Sequence, residues 1–185
     1  MILYVNACPR KGSRTDRLAK ALLETLGEYT EIVPGQMDLR PLDDERLDYR
    51  TGLIEKGSYD DDIFLPAKQF AGADCIVIAA PYWDGSFPAI LKTYIENIYV
   101  TGIVSEYGPD GSPRGLCRAE KLYYVTSAGG PYDPRFSYDH IHDLAIHMFG
   151  IKEAELVCAD MMDIEGNDPE AILAEKIKEL KNKRA

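Results

Sequence analysis

The run Cys75-Ile76-Val77-Ile78-Ala79-Ala80, followed by Pro81-Tyr82-Trp83-Asp84-Gly85-Ser86-Phe87-Pro88, decides the fold. Its uniform hydrophobicity, bounded by Ala73-Asp74 and Pro81, marks a strand covered on both faces, as in the middle of a parallel sheet. A turn rich in aromatics, glycine and proline follows, and Pro88 can open a helix as its first residue. Ile90, Leu91, Tyr94, Ile95 and Ile98 give that helix a broad apolar face.

The same alternation runs outward in both directions. Ile2–Val5 is a short apolar run that closes on the loop Asn6–Ser13, after which Leu18, Leu22 and Leu26 recur at helical spacing up to a stop at Gly27. Glu31–Val33 reads as a second strand. The acidic stretch from Gln36 to Asp62 has no clear period and reads mostly as loop, and Ile63–Phe70 reads as a helix with Asp60, Asp61 and Asp62 at its favourable amino end. Beyond the Gly- and Pro-rich segment Thr101–Ala119, the pattern predicts a fourth strand over Lys121–Thr126, a loop over Ser127–Ser137 and a helix over Tyr138–Phe149. A fifth strand over Glu155–Cys158 and a terminal helix over Pro169–Lys181 complete it.

Strands alternating with helices of this length call for a parallel sheet with right-handed crossovers. Five such units predict a doubly wound α/β fold of flavodoxin-like strand order 2-1-3-4-5, with residues 1–185 as one domain. Ligands in such sheets bind at the carboxyl ends of the strands where the order reverses. The loops after Val5, Ala80 and Thr126 are therefore the places to seek chemistry.

The chain has 185 residues with 21 Lys+Arg against 31 Asp+Glu, a net charge of −10 that repels phosphate backbones and anionic lipid. The longest apolar stretch, Cys75–Trp83, is about half the ~18 residues that suggest a membrane span. Nucleic-acid and membrane partners are not expected. The amino terminus runs from Met1–Val5 into Arg10, Lys11 and Arg14 with no secretory pattern, and Cys8, Cys75, Cys117 and Cys158 stand far apart without a C-x-x-C. The expectation is a cytoplasmic protein with reduced thiols.

In the first loop, Ser13, Thr15 and Arg10 border a helix amino terminus, where free N–H groups and hydroxyls suit a phosphate; the alternative is that a hydroxyl serves only as an N-cap. In the second, Pro81, Tyr82, Trp83, Asp84 and Gly85 offer backbone and aromatic surface to a planar ligand, or else plug the sheet end. In the third, Ser127, Gly129 and Gly130 let backbone come close to a ring, or form an ordinary turn before Tyr132. No G-x-G-x-x-G or G-x-x-x-x-G-K-[ST] occurs.

Taken in order, Cys8-Pro9-Arg10…Ser13-Arg14-Thr15, Ala80–Tyr94, Thr101-Gly102-Ile103 and Thr126-Ser127-Ala128-Gly129-Gly130 resemble the FMN-dependent NAD(P)H:quinone oxidoreductases and NADH-azoreductases of flavodoxin-like fold. The resemblance implies a homodimer binding FMN, with NADH or NADPH as co-substrate, and ping-pong transfer of two electrons to a quinone or another flat acceptor such as an azo or nitroaromatic compound. It implies that Ser13, Thr15 and the backbone near Arg10 hold the phosphate. The backbone of Pro81, Tyr82, Trp83, Asp84 and Gly85 would follow one edge of the flavin ring, with Ser127, Gly129 and Gly130 on its other side. Tyr107, within Thr101–Tyr107, and Tyr132 are the expected substrate-pocket residues, and no side chain is expected to act as nucleophile because the flavin carries the chemistry. Asp84 stands where related azoreductases commonly have Asn, and Ala128 where some relatives have a larger or charged residue.

Two other readings compete. Cys8-Pro9-Arg10-Lys11-Gly12-Ser13-Arg14-Thr15 also spells C-x5-R-[ST], the phosphate loop of low-molecular-weight tyrosine phosphatases, with Cys8 as nucleophile and Arg14 as phosphate ligand, although Pro9 removes one N–H from the cradle. A flavodoxin-like electron carrier would bind FMN without oxidising NADH itself, its acidic surface suited to basic redox partners. His140 and His142, at i and i+2 of a helix, point to different sides and are not expected to converge on a metal.

Overall fold

The computed structural model describes residues 1–184. Five strands, β1 (Ile2–Asn6), β2 (Tyr29–Ile32), β3 (Cys75–Ala79), β6 (Lys121–Ser127) and β7 (Glu153–Ala159), form one parallel sheet in the order β2-β1-β3-β6-β7. Numbered within that sheet alone, this is the expected 2-1-3-4-5. A two-stranded antiparallel hairpin, β4 (Ser105–Tyr107) with β5 (Pro113–Gly115), lies outside it.

The alternation of side chains along a strand explains why the central strands are apolar throughout. Leu3, Val5, Ile76, Ile78, Leu122 and Tyr124 pack toward one core, with residues of α3 (Leu65–Ala71), α4 (Ala89–Ile98) and α5 (Tyr138–Asp143). Tyr4, Val77, Ala79, Tyr123 and Val125 pack toward a second core, against α1 (Arg14–Leu26) and α6 (Pro169–Arg184). Both faces of the sheet are therefore covered. Fully burying each such side chain contributes on the order of 1.5–3 kcal/mol relative to exposure.

Four local readings of the sequence are corrected. The second strand lies over Tyr29–Ile32 rather than Glu31–Val33, in register Ile2 with Tyr29. The stretch from Gln36 to Asp62 holds α2 (Asp44–Glu55), which buries no residue fully and packs only Leu53 and Ile54, at its carboxyl end, against the core; so short a contact shows no apolar period. Its visible signal is capping. The Asp43 carboxylate accepts the Arg46 N–H, with Asp44 and Glu45 in the first turn.

The helix expected over Tyr138–Phe149 is α-helical only to Asp143 and continues as a π turn over Leu144–Met148, with the Phe149 N–H donating to the Leu144 carbonyl at 2.9 Å. Phe149 then packs edge-on against Phe70, with ring centroids 5.3 Å apart. The β4–β5 hairpin went unpredicted because three-residue strands carry no readable alternation. Among the described residues no helix is long and apolar enough to cross a membrane.

Candidate functional site

The carboxyl ends of β1, β3 and β6 bring their loops together, and the contacts between them are specific. The Thr15 and Ser127 hydroxyls meet at 2.6 Å, joining the first turn of α1 to the end of β6. The Tyr82 N–H donates to the Ser127 carbonyl at 3.0 Å, joining the β3 loop to the β6 loop. Between these loops is a cleft of 330 Å³ lined by Pro9–Thr15, Pro81, Tyr82, Trp83, Ser127, Ala128 and Gly129, with Met162 and Asp163 from the loop after β7.

This cleft is built mainly from backbone. Ser13 is the N-cap of α1 by position, yet its hydroxyl caps none of the helix amides. The caps of α2 and of the turn at Asp62–Phe64, Asp43 and Asp61, each accept a backbone N–H. No hydroxyl caps the first turn of α1; its Asp16 N–H faces the Cys8 sulfur, while those of Arg14 and Thr15 have no intrahelical acceptor, and the positive end of the helix dipole lies with them. An anion with several acceptor oxygens fits that arrangement.

The far wall is held by a chain of contacts. Asp163 receives Arg14 in a bidentate ion pair at 2.9 Å, and its N–H donates to the Gly129 carbonyl at 2.8 Å. A Cβ added at Gly129 would come within 2.5 Å of Asp163 Oδ2, so only glycine passes between the carboxylate and the cleft. The Met161 N–H closes the neighbouring Gly130 carbonyl at 3.1 Å.

The β3 loop has a defined geometry of its own. Trp83 and Ser86 exchange both backbone hydrogen bonds at 2.8 Å, and the two residues between them, Asp84 and Gly85, have φ of 50° and 80°. Two successive positive φ values enclosed by such a pair are those of a type I′ turn, for which Asp-Gly and Asn-Gly are the favoured sequences. The residue type at position 84 is thus restricted by the backbone before any ligand is considered. Ser86 Oγ donates to the Phe136 carbonyl at 2.5 Å and ties the turn to the loop following β6.

On the other side of Trp83 is a larger cleft of 1220 Å³. It is bounded by the β1 loop, by Glu31, Val33, Gly35 and Gln36 at and beyond the end of β2, and by Trp83–Ile90. The two clefts share Pro9–Gly12 and Trp83, and the Arg10 guanidinium lies 5.3 Å from the centre of the Trp83 ring.

Most of the residues singled out in the sequence therefore converge. Arg10, Ser13, Thr15, Pro81, Tyr82, Trp83, Ser127 and Gly129 line the smaller cleft, and Asp84 faces the larger one. Gly85 and Gly130 sit in the adjoining turns. Tyr132 packs edge-on against Tyr82, with centroids 4.9 Å apart, and its hydroxyl meets Ser137 Oγ at 2.8 Å; burial pushes it up to about 12. Tyr107 belongs to the β4–β5 hairpin and lines neither cleft. Asn6, Asp16, Glu31 and Asp163 were not foreseen. Of these only Asn6, a polar residue ending an apolar run, carried a sequence signal.

Cys8 is mostly enclosed. Burial pushes its thiol up to about 12, outweighing the opposing hydrogen bond with Ser13, and Sγ lies 3.7 Å from the Ala79 carbonyl. A nucleophilic thiol needs the opposite shift. Arg14 is moreover committed to Asp163. His140 stacks on Phe87 with centroids 6.2 Å apart, and burial lowers its basicity.

Residues 1–183 match a family model described as flavodoxin-like fold. Among curated relatives, the FMN-dependent NADH:quinone oxidoreductase 2 of Clostridium acetobutylicum is 34% identical over 97% of this chain and 96% of its own length. The FMN-dependent NADH:quinone oxidoreductase of Clostridium beijerinckii is 33% identical over 97% and 96%. The azoreductase of Bacillus anthracis has the same fold, with a TM-score of 0.83 at 21% identity over 99% of this chain and 97% of that one. An FMN-dependent NADH-azoreductase of the same species, solved with FMN, superposes with a TM-score of 0.78 at 20% identity, covering 99% and 96%.

Proposed function

The chain belongs to the flavodoxin-like family of FMN-dependent NADH:quinone oxidoreductases, and from that premise we propose that it binds FMN and passes two electrons from NADH to a quinone or a similarly flat acceptor such as an azo compound. One observation carries the reading: an uncapped helix amino terminus, a type I′ aromatic turn and a glycine pair converge from the ends of β1, β3 and β6.

The residues present fit the cofactor. The amides of the first turn of α1, Ser13 Oγ and the charge of Arg10 suit a phosphate, and Gly129 keeps the wall thin where any Cβ would meet Asp163. Thr15 acts differently from a direct ligand. It is fully buried and its hydroxyl meets that of Ser127, so it fixes the spacing of two loops at the edge of the cleft. The turn from Trp83 to Ser86 sets a rigid edge for a flat ring, and the Gly129–Gly130 backbone lies on the other side. When bound, FMN supplies the redox chemistry, two electrons in from NADH and two out to the acceptor in alternating half-reactions. The protein binds, orients and excludes water; none of its side chains need change protonation.

In this reading the working unit is a homodimer. Phe136, on the loop after β6 that Ser86 ties to the Trp83 turn, is 65% exposed, and a second copy would cover it. The compartment is the cytoplasm, where the four cysteines, none of them in a disulfide, stay reduced.

The test is one sample. FMN is added and its visible spectrum recorded, NADH is added without oxygen, and then a quinone. Stoichiometric binding, rapid bleaching and recovery on adding quinone are expected. Binding without rapid reduction would turn the assignment to an electron carrier, and absence of flavin binding would overturn both. Sedimentation at micromolar concentration measures the dimer independently.

A further inference from the structure

Beyond the loops it shares with the FMN site of the reading above, the larger cleft continues to the end of β2, and its chemistry there is specific. Its floor is a fixed pair of carboxylates. Asn6, at the end of β1, donates from Nδ2 to Asp16 Oδ1 at 3.1 Å and to Glu31 Oε1 at 2.8 Å, while its Oδ1 accepts the Cys8 N–H at 3.1 Å. Asp16 is satisfied, because Tyr4 OH also reaches Oδ1 at 2.7 Å and Lys20 Nζ reaches Oδ2 at 3.0 Å. Glu31 has a single donor among these bonds and is exposed, so a carboxylate with room for further donors faces the cleft from the end of β2.

The other walls differ in kind. Trp83, Phe87, Pro88 and Ile90 give an apolar side, and Arg10 and Lys11 give a cationic lip shared with the smaller cleft. Within 1220 Å³ the cleft therefore offers a flat apolar wall, a hydroxyl acceptor and two cations, in continuity with the phosphate loop. That is the complement of an adenosine diphosphate: a base, a ribose with free hydroxyls and a diphosphate.

The position of Glu31 strengthens this. In sheets that bind dinucleotides, an acidic residue at the end of the second strand takes the ribose hydroxyls. Here β2 pairs with β1 in the same way and Glu31 is the penultimate residue of β2, while the amino terminus of α1 is left to the phosphate of FMN. The glycine fingerprint is missing, so a motif search passes over the arrangement; the carboxylate appears only when the strands are paired.

We propose that this cleft takes the adenosine diphosphate half of NADH, its ribose hydroxyls donating to Glu31 and its diphosphate beside Lys11. The inference rests on NADH being the reductant. It adds a preference, since the 2′-phosphate of NADPH would meet Glu31 charge against charge.

The FMN-loaded protein is titrated calorimetrically with ADP-ribose and with 2′-phospho-ADP-ribose, as wild type, Glu31→Gln and Glu31→Lys, and the KM and kcat for NADH and NADPH are measured on the same samples. ADP-ribose is expected to bind wild type more tightly than its 2′-phosphate, and about tenfold more weakly in Glu31→Gln, the loss of one hydrogen bond to a charged acceptor. KM for NADH should rise by a similar factor with kcat unchanged, and Glu31→Lys should reverse the preference in favour of the 2′-phosphate. A merely structural role for Glu31 would not reverse it, and an unchanged flavin spectrum and melting temperature show that the variants are folded. Failure of ADP-ribose to bind a wild type that still oxidises NADH, or equal binding by wild type and Glu31→Gln, overturns this inference alone. Failure of NADH to reduce the flavin overturns the function, while ADP-ribose binding still decides the cleft.

Discussion

The two clefts that meet at Trp83 are built by opposite means. The smaller draws on main chain: helix amides, a glycine without room for a Cβ and, between the two clefts, a turn with two positive φ values. The larger is made of side chains, with Asn6 holding two carboxylates and Arg10 lying against an indole. A backbone-built site tolerates few changes of shape but many of charge. A site built from side chains should respond in the reverse way, with shape changes absorbed and charge changes felt.

The sharpest test of that contrast is Gly129→Ala. The new methyl group would lie 2.5 Å from Asp163 Oδ2, and the carboxylate, exposed but held by Arg14 at Oδ1, must shift or push the loop outward. Overpacking costs about 1–3 kcal/mol of stability where nothing gives, and the displaced loop should lower FMN affinity by about tenfold in a fluorescence titration. Asp163→Ala in the same chain removes the obstacle and should restore most of the affinity. If the single variant binds FMN like wild type, the wall is not set by that approach, and the distinction between the clefts loses its main support.

The same contrast explains what could be read before the structure. Backbone-built features leave compositional marks, because only certain residues adopt the required φ or approach that closely. Asp84-Gly85, Gly129-Gly130 and the β-run Cys75–Ala80 are such marks, and the site around them was legible as three loops at strand ends. Glu31 left none. It is one of 31 acidic residues in the chain, on an edge strand whose boundaries were misjudged by two residues at its start, and its meaning depends on a pairing with Asn6 twenty-five residues away. Helix α2 escaped for a related reason, since it is held by caps and by Arg50 donating to the Glu96 carbonyl rather than by a buried stripe.

Asp84 belongs to both clefts in a sense, being a backbone requirement that also carries a charge. At φ 50° asparagine and aspartate are tolerated, whereas alanine costs about 1 kcal/mol. Asp84→Asn should therefore keep FMN binding and, in the reading in which the carboxylate faces the flavin ring, raise the flavin reduction potential by on the order of 20 mV. Asp84→Ala should raise the potential similarly but weaken binding about fivefold, because the turn is strained. An unchanged potential in a redox titration of both variants would leave position 84 as a turn residue only.

The smallest effect is expected at Cys8, which lines the larger cleft and whose N–H is held by Asn6, with its thiol mostly enclosed. Its thiol is pushed up to about 12 by burial, so at neutral pH it is protonated and a poor nucleophile, and its contact with the Ala79 carbonyl is long at 3.7 Å. Cys8→Ser exchanges one small donor for another at that contact. FMN binding and NADH oxidation should stay within about twofold of wild type, and iodoacetamide should label the native protein at Cys8 slowly until denaturant is added. A large loss of NADH oxidation with flavin binding intact would give the thiol a role in the reaction. Gain or loss of a phosphatase activity with this variant would instead revive a phosphate loop centred on Cys8, against the geometry in which Arg14 is already bound to Asp163.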